Sequence, residues 1–471
     1  MSSGPIPFDS ILFRDLLSTP RMRAVWMEEK MVAAWMDVER AITEVQCELG
    51  MVPAWAAARI VESLQPQAIP LDRVRDHAAR SGHLMVGFLR TFREVCGDAA
   101  EHFHLGPTTQ DILDTGLTLQ MMEATALVRE QALALQRTLC QRALAEKNTV
   151  MMGRTHEQHA LPTTFGLVLA TWACEAHDHL DRLDQSERRW RFGSVAGGVG
   201  AQNAFVELSD HQTARELERR VCQRLGLFAP DSQQQGRFDR FGEVVFILAS
   251  LCASLARMGL QLRTMERPEV AELGTLYGEE ACSSSTMPNK RNPEPAERVQ
   301  GLADLARGHA DTMLSLRTAD HRDSTRIPVL YTAVPGAFLL VSRALETIAA
   351  HLETMLVNRE VMRANLDHPN VLGQAAAERV MIALYRKTGR KHWAHTRLSE
   401  CSAISTRTRR PLRQVIEEMA DLTAHLSAAE LDLLFELSTY TGTAALQVEQ
   451  AVARIMERSG AARESRGATT A

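Results

Sequence analysis

The sequence predicts an all-α protein, with long helices in the middle of the chain and a smaller helical domain on each side. Three observations lead to this prediction. Aromatic residues make up only 5% of the chain, whereas Ala, Leu, Met, Glu and Arg, which favour helices, are abundant. Long stretches contain almost no glycine or proline, the residues that interrupt helices most strongly. Segments with the alternating pattern of a half-buried strand are scarce.

Five of these stretches predict five long helices. Their apolar residues recur at helical spacing, as at Ile247, Leu251 and Leu255. A mean helix has about 11–12 residues, so helices of about twice that length are unusual. Helices this long usually bury their apolar faces in a bundle, often between subunits. The stretches are Leu117–Met152, Leu167–Phe192, Glu243–Glu266, Pro295–Thr318 and Ala337–His368.

The predicted long-helix bundle occupies residues 108–368, between an N-terminal helical domain (1–107) and a C-terminal helical domain (369–471). In the C-terminal domain, Ser427 and Glu430 form a capping-box pattern that predicts the start of a helix. The small, polar residues that follow, from Ser459 to Ala471, predict a disordered tail.

Composition excludes several classes of protein. The net charge of −5 provides no electrostatic basis for binding nucleic acid or a membrane surface. No apolar run approaches the ~18 residues of a membrane span, and the N-terminus lacks the pattern of a secretory signal. The eight cysteines are scattered without a Cys-x-x-Cys pair, which favours reduced thiols in the cytoplasm over a disulfide or zinc framework.

Three polar stretches interrupt the helical pattern and are the candidates for function. Gly106–Asp111 precedes a helix, so it is either an anion site at the helix start or a plain N-cap. Gly153–Pro162 can present imidazoles to a ligand. Its two histidines three residues apart allow a metal site, but no cysteine or acidic partner at a familiar spacing supports one. Ser283–Pro293 is either a loop that wraps an anionic substrate or a solvated turn.

Together these stretches resemble a known family. Thr108-Thr-Gln-Asp111, Thr155-His-x-Gln158 and Ser284-Ser-x-Met-Pro-x-Lys-x-Asn292 are similar, in order and spacing, to the three signature regions of the fumarase/aspartase superfamily. The third is the hallmark of the superfamily. The N-terminal segment from Phe13 to Pro53 and the motif Tyr440-Thr-Gly-Thr-Ala444 resemble the branch that contains adenylosuccinate lyases and carboxymuconate cycloisomerases.

This resemblance implies a fold, an assembly and a reaction. Family members have three helical domains, and their central five-helix bundles pack into a twenty-helix core in a homotetramer. Each active site takes its three signature regions from three different subunits. The reaction is an anti β-elimination from a substituted succinate through an aci-carboxylate intermediate, which releases fumarate. The implied partners are therefore a small dicarboxylate and other copies of the chain, with no cofactor and no metal.

The resemblance also assigns catalytic roles. Ser284 matches the serine that removes a proton as an alkoxide-like base. His156 matches a histidine that acts as general acid or contacts the leaving group, and Glu297 stands where the family places its glutamate partner; the alternative for Glu297 is a first-turn glutamate at a helix start. His83 resembles the second histidine of adenylosuccinate lyases, or is a buried structural histidine. Which of the two histidines is the general acid stays open.

Further residues match substrate-binding positions of the family. Thr108, Thr109 and Gln110 match its carboxylate-binding region, and Lys290 and Asn292 match residues that hold a substrate carboxylate. The other expected substrate contacts are Thr155, Gln158, Ser285, Met287, Arg322 and Arg326.

Departures from the family pattern leave the substrate open. Ser283 and Glu157 stand where glycines are usual, and the Arg-Tyr pair that adenylosuccinate lyases commonly use for the nucleotide phosphate is absent near the N-terminus. The leading hypothesis is a lyase that cleaves a C–N bond, in an adenylosuccinate-like compound, an aspartate derivative or nitrosuccinate. A carboxymuconate-type cycloisomerase is the alternative. A homologue that has lost catalysis and serves as a structural or binding protein is the third hypothesis.

Overall fold

The structure is a computed structural model that describes residues 8–233, 237–276, 278, 284–316 and 323–469, with side chains as far as residue 458. Helices dominate these residues, which confirms the predicted all-α class. The α-helices are α1 Arg14–Leu17, α2 Pro20–Val25, α3 Glu28–Glu48, α4 Ala54–Ser63, α5 Leu71–Ser81, α6 Leu84–Cys96, α7 Thr109–Ala145, α8 Phe165–Trp190, α9 Asn203–Glu207, α10 His211–Arg224, α11 Asp239–Met265, α12 Glu294–Leu314, α13 Arg326–Thr354, α14 Arg359–Ala364, α15 Ala377–Thr388, α16 Lys391–Thr408, α17 Leu412–Glu417, α18 Ala420–Thr423, α19 Ala428–Phe435 and α20 Ala444–Thr469.

Short elements complete the described chain. Two antiparallel strand pairs are present, β1 Val150–Thr155 with β2 Gln158–Thr164 and β3 Leu273–Thr275 with β4 Met355–Val357. Single 3₁₀ turns lie at Pro66–Ala68, Gly97–His102, Asn365–Asp367, Gln374–Ala376 and Leu437–Thr439.

The five predicted long helices are present as α7, α8, α11, α12 and α13, with some ends displaced. The first begins at Thr109 and passes through Gly116, where a side chain would clash with Trp35 of α3. The last contains Pro335, because the fully buried residues around it, such as Val334 and Phe338, bury enough apolar surface to offset one lost backbone hydrogen bond.

Two other local predictions differ from the structure. The stretch Gly153–Pro162, predicted to be irregular, lies in a β-hairpin that runs from Val150 to Thr164, because the β-branched and apolar residues at the two ends of the hairpin pair across the strands. At the C-terminus, where composition predicts a disordered tail, the backbone of α20 is helical as far as Thr469; Ala, Arg and Glu in this segment favour a helix.

Contacts divide the chain into two compact units. The first unit comprises Met1–Ala132, His179–Leu255 and Arg298–Glu346, and the second comprises Leu133–Asp178, Ala256–Glu297 and Thr347–Ala471. Each of the five long helices contributes to both units. The division into domains 1–107, 108–368 and 369–471 stays a prediction.

The first unit has a core formed largely by α3, α4, α6 and the beginning of α7. Apolar residues one turn apart on α3, such as Val38 and Ile42, are fully buried and pack in one cluster with Phe88 and Phe92 of α6. This core supports the beginning of α7, where the first signature region lies.

The second unit has its own core, built by the helices after residue 376 and by β1. Leu384, Val415 and Ile416 are fully buried in this cluster together with Met152 from β1. The predicted capping box at the start of α19 is confirmed, since the Ser427 side chain accepts from the Glu430 amide and the Glu430 carboxylate accepts from the Ser427 amide. Through Met152, the base of the β1–β2 hairpin is anchored in this packed core.

Two helices, α11 and α13, are long and apolar enough to cross a membrane by length and composition alone. About 61% of the apolar window of each is buried within the protein. Burial of this kind is typical of core helices in a helical bundle.

Candidate active site

The first signature region lies at the start of α7 and is held by the carboxylate of Asp111. This carboxylate, which is fully buried, accepts hydrogen bonds from the Thr108 amide at 3.0 Å, the Ser194 hydroxyl at 2.9 Å and the Gly197 amide at 2.9 Å. The first bond caps the helix, and the others attach the segment 194–197 to it. The backbone around Thr108 is therefore fixed before any ligand arrives.

Gln110 is fixed by a second buried carboxylate. Its Nε2 donates to Oδ1 of Asp114, one helical turn later, at 2.5 Å. The other oxygen of Asp114 has no hydrogen-bond partner among the described residues. Burial raises the pKa of the Asp114 carboxyl, while the charges of Arg240 and Arg326 act in the opposite direction. Both arginines are buried, so two guanidinium groups lie close to the buried carboxyl that holds Gln110.

A cavity of about 750 Å³ opens beside the start of α7, within the first unit. Five of the residues predicted to bind or act on the substrate line it: Thr108, Thr109, Gln110, His83 and Arg326. Hydroxyl and side-chain amide groups at a helix start that lines a cavity are suited to binding a carboxylate.

His83 is exposed on this cavity rather than buried, which rules out a buried structural histidine within the chain. It is the N-cap of α6, where its Nδ1 accepts from the Val86 amide at 3.4 Å. A nitrogen that accepts from an amide carries no proton, so the ring can offer only its Nε2 as a proton donor in this arrangement.

Arg326 begins α13, and its guanidinium lies 5.2 Å from the ring centroid of Phe238. The aromatic ring holds the planar cation in one orientation. Arg322, the other arginine expected to contact the substrate, lies outside the described residues, as does Ser283.

The second signature region forms the tip of the β1–β2 hairpin. Thr155 pairs with Gln158, which leaves His156 and Glu157 as a two-residue turn with φ values of 52° and 60°. Turns of this kind usually contain Asn-Gly because both positions need positive φ. All four residues are exposed, and the His156 side chain has no hydrogen bond or ion pair within the described chain.

His159, which the sequence left without a catalytic role, lies opposite Arg154, one residue pair below the turn. Burial lowers its pKa, and the nearby charge of Arg154 adds to this.

The third signature region is an exposed segment that begins at Ser284 and leads into α12. The Ser284 Oγ accepts from the Met287 amide at 2.9 Å and from the Thr286 amide at 3.4 Å. Around this turn, Ser285, Met287 and Lys290 are exposed, and Asn292 is half-buried. The local geometry thus directs two backbone donors at the oxygen of the predicted base.

Glu297 lies in the first turn of α12 and is exposed. Within the described residues of one chain, its carboxylate makes no hydrogen bond or ion pair, with His156 or with any other group. The predicted pairing of these two side chains therefore stays a prediction that concerns the assembled protein.

The predicted site residues fall into two groups. His83, Thr108, Thr109, Gln110 and Arg326 belong to the first unit, whereas the hairpin tip, the Ser284 segment and Glu297 belong to the second. Across the parts of the chain that the structure describes, no three His, Cys, Asp or Glu side chains are grouped to hold a metal ion.

Sequence reasoning missed the buried charges that support these groups. Asp114 and Arg240 stand behind the start of α7, and Glu272 stands behind the hairpin through an ion pair with Arg154. The sequence does contain a signal for Asp114: it lies four residues after Gln110, and residues four apart share a helix face. No local sequence pattern marks Arg240 or Glu272 as a supporting residue.

Comparisons with known proteins identify relatives over nearly the whole chain. A family model described as "Lyase" matches residues 17–308, and one described as "Adenylosuccinate lyase C-terminus" matches residues 373–451. The adenylosuccinate lyase of Methanothermobacter thermautotrophicus is 32% identical over 94% of this chain and 97% of that protein. The N-acetyl-S-(2-succino)cysteine lyase of Dickeya dadantii is also 32% identical, over 94% of this chain and 96% of that protein. The crystal structure of the 3-carboxy-cis,cis-muconate lactonizing enzyme from Pseudomonas putida superposes with a TM-score of 0.84 at 27% identity, over 94% of this chain and 98% of that one.

Proposed function

Because the chain belongs to the fumarase/aspartase superfamily of lyases, in its adenylosuccinate lyase-like branch, we propose that it releases fumarate from a substituted succinate by anti β-elimination. In this reaction a base removes the proton next to one carboxylate, and the electron pair left behind forms the double bond as the leaving group departs from the neighbouring carbon. The proton beside a carboxylate is very weakly acidic, so the site must stabilise the aci-carboxylate that forms.

The environment of Ser284 is the observation that carries this proposal. A serine hydroxyl is far too weak a base unless its anion is stabilised. Two backbone amides, of Met287 and Thr286, already point at the Ser284 oxygen, and the same donors would stabilise an alkoxide. Lys290, six residues along the same segment, supplies a positive charge for the anion or for the substrate carboxylate.

The start of α7 is suited to hold the other end of the substrate. Thr108, Thr109 and Gln110 offer hydroxyl, amide and backbone donors at the positive end of a long helix, on the wall of the cavity. The buried Arg326 adds a guanidinium to the same wall. One substrate carboxylate bound here and one bound by the Ser284 segment would orient the carbon that loses its proton.

A proton donor is needed wherever the leaving group departs as a strong base, such as an amine. His156 and His83 are both exposed imidazoles that could supply it. We assign this role to His156, because its ring has no hydrogen-bond partner in the described chain, whereas the His83 Nδ1 caps a helix. The assignment includes a Glu297 carboxylate that pairs with the imidazole in the assembled site.

The names of the relatives suggest the substrate class. They include adenylosuccinate lyases and N-acetyl-S-(2-succino)cysteine lyases, so an N-substituted succinate, such as an adenylosuccinate-like compound or an aspartate derivative, leads our list. Nitrosuccinate and an S-substituted succinate complete it. All of these would give fumarate and differ only in the group that leaves.

We further propose that the protein acts as a homotetramer in the cytoplasm. Five helices of 21 to 37 residues and the exposed large apolar residues on them, such as Phe246 and Leu305, suit a core shared between subunits. The seven cysteines in the described part of the chain form no disulfide, as a reducing compartment requires. Mixing Ser284→Ala with His156→Asn protein, each strongly impaired alone, should raise the activity above that of either variant if different copies supply these residues to one site.

Substitution of Ser284 tests the proposed base. We expect Ser284→Ala to lower kcat by roughly 10³-fold or more, because no other base lies in the segment, while KM changes little. Thr286→Ala, which removes a hydroxyl from the same turn but keeps the backbone amide that donates to Ser284, is the matched control and should keep most of the activity. An active Ser284→Ala enzyme would contradict the assignment of the base.

A carboxymuconate-type cycloisomerase is the second candidate, favoured by the close superposition on the Pseudomonas putida lactonizing enzyme. In that reaction the carboxylate that adds or leaves is part of the same molecule, so no separate product is released. A product mixture that contains lactone and no fumarate would favour this candidate over the lyase.

A further inference from the structure

The turn that carries His156 is held in a conformation that its own residues disfavour. Both His156 and Glu157 adopt positive φ, and side chains with a Cβ are strained there. Such a turn persists only when the surrounding structure holds it in place. Because the tip itself is exposed, the support must come from the strands below it.

Arg154 provides this support from β1, two residues before His156. Its guanidinium forms a two-pronged ion pair with Glu272, with Nη1 to Oε2 at 2.8 Å and Nη2 to Oε1 at 2.6 Å. The Glu272 side chain is fully buried, and that of Arg154 is 16% exposed. A bidentate pair in such surroundings fixes the direction of the arginine side chain as well as its distance.

A bulge in the hairpin aims Arg154 toward Glu272. The strand register shifts between Met152 and Arg154, so the residue between them, Gly153, has no regular partner. A Cβ at Gly153 would lie 2.6 Å from the Leu161 carbonyl oxygen, which explains the glycine at this position. Bulges redirect the side chains that follow them and are frequent beside active sites.

Glu272 is itself fixed on its far side. The Asn365 Nδ2 donates to Glu272 Oε1 and to the Val270 carbonyl, both at 2.9 Å. The Asn358 amide donates to the Glu272 carbonyl at 3.0 Å, and its side chain donates to the Ala271 carbonyl at 2.8 Å. Glu272 therefore joins the hairpin to the β3–β4 pair, which begins at the next residue.

We propose that Arg154, through its pair with Glu272, is a positioning residue that sets the hairpin tip, and with it the His156 imidazole, for proton transfer to the leaving group. This inference rests on the proposed function, specifically on His156 as the proton donor. Arg154 lies one residue pair below the turn, and Glu272 holds its guanidinium, so we assign it a role that acts through His156 and not through the substrate.

The test is a double-mutant cycle with Arg154→Lys and His156→Asn. Lysine keeps the positive charge but cannot form the two-pronged pair. We expect Arg154→Lys to lower kcat by roughly 10- to 100-fold and to leave KM within about 3-fold of the wild type. The loss in kcat is smaller than the roughly 10²–10⁴-fold that a general acid supplies, because the acid is displaced and not removed. In the His156→Asn background the same change should have little further effect, because the group that it positions is already absent.

The leaving group gives a second readout that a merely structural role would not move. An amine must be protonated as it departs, whereas nitrite is a weak base and leaves without help. The Arg154→Lys defect should therefore be large with an N-alkyl succinate and close to absent with nitrosuccinate. Glu272→Gln keeps the shape of the partner of Arg154. It should lower kcat by a smaller factor, again with the N-alkyl succinate and not with nitrosuccinate, and it replaces Arg154→Lys in the test if that variant does not fold.

Arg397 offers a matched control in the second unit. It forms a two-pronged pair with Asp421, at 2.7 and 2.9 Å, on elements that do not carry a signature region. Arg397→Lys should leave kcat unchanged for both substrates.

Two outcomes would overturn the inference, and they are distinguishable. If Arg154→Lys slows the reaction equally in the wild-type and His156→Asn backgrounds, Arg154 does not act through His156, and the proposed proton donor stands. If His156→Asn leaves kcat unchanged with the amine substrate, the proposed proton donor fails and the positioning inference fails with it.

Discussion

The start of α7 and the tip of the β1–β2 hairpin both carry predicted site residues, but the protein supports them in opposite ways. At the start of α7, two buried carboxylates, Asp111 and Asp114, hold the backbone of Thr108 and the side chain of Gln110 directly. At the hairpin, the Arg154–Glu272 pair supports the strands one residue pair below the turn, and His156 lies exposed on a turn with positive φ.

This difference fits two different tasks. Groups that bind a carboxylate work best when their donors are already in place, because no reorganisation is then needed when the substrate arrives. A group that delivers a proton to the leaving group must approach it as the bond breaks, and an exposed tip on a fixed base permits a short movement. In the proposed function, the helix start binds the substrate and the hairpin tip transfers the proton.

The largest expected effect is that of Asp111→Ala, which removes the support of the helix start. Three backbone amides and the Ser194 hydroxyl donate to this carboxylate, and each buried donor left unpaired costs about 1–3 kcal/mol. We expect the free energy of unfolding in urea to fall by about 3–5 kcal/mol. Asp210→Ala, an exposed N-cap of α10, is the control and should cost only about 1 kcal/mol. Equal losses for the two variants would contradict the contrast.

A smaller effect concerns Glu218, which supports the same segment by accepting from the Val195 amide at 3.1 Å. Burial raises the pKa of Glu218 from 4.5 to about 7. Between these two values the folded protein binds more protons than the unfolded chain. The free energy of unfolding should therefore fall by about 2–3 kcal/mol through Glu218 as pH rises from 4.5 to about 7.

Urea unfolding at several pH values across this window measures the contribution of Glu218. Relative to the wild type, Glu218→Gln should gain stability as pH rises, because glutamine does not titrate. Glu216 is a half-buried neighbour whose pKa is lowered to about 2 by its hydrogen bonds to Arg219 and Arg220, so Glu216→Gln should give a difference that stays nearly flat over the same range. A flat difference for Glu218→Gln would refute the prediction.

The smallest effect is expected at the hairpin tip. Glu157→Gly relieves a positive φ and should raise the free energy of unfolding by about 1 kcal/mol. Gln300→Gly, on an exposed face in the interior of α12, should lower it by about 1 kcal/mol and serves as the control. A loss of stability in Glu157→Gly would show that the turn is not strained.

Local patterns were sufficient to predict the five long helices, because each has a continuous apolar face and few breakers. They failed where tertiary packing overrides a local rule. Gly116 does not end α7 but makes room for Trp35, and Pro335 lies inside α13 among buried residues. The hairpin was missed because its turn is His-Glu rather than the glycine-containing pair that marks such turns.

The site was predictable only as far as its motifs extend. Short motifs name Thr108, His156 and Ser284, and the structure places Thr108 on a cavity and Ser284 under two amides. The supporting charges come from far along the chain: Glu272 is 118 positions from Arg154. Which distant residue meets which is decided by the fold, so no single sequence could reveal these pairs.

The most direct test of the central claim is to incubate the purified protein with a panel of succinates that carry different leaving groups, and to measure fumarate and the released group together. The panel holds an adenylosuccinate-like compound, N-alkyl aspartates, nitrosuccinate and an S-substituted succinate. The account predicts that at least one member gives fumarate and its leaving group in equal amounts, and that Ser284→Ala abolishes both. Product formed without fumarate, or fumarate formed at the wild-type rate by Ser284→Ala, would contradict it.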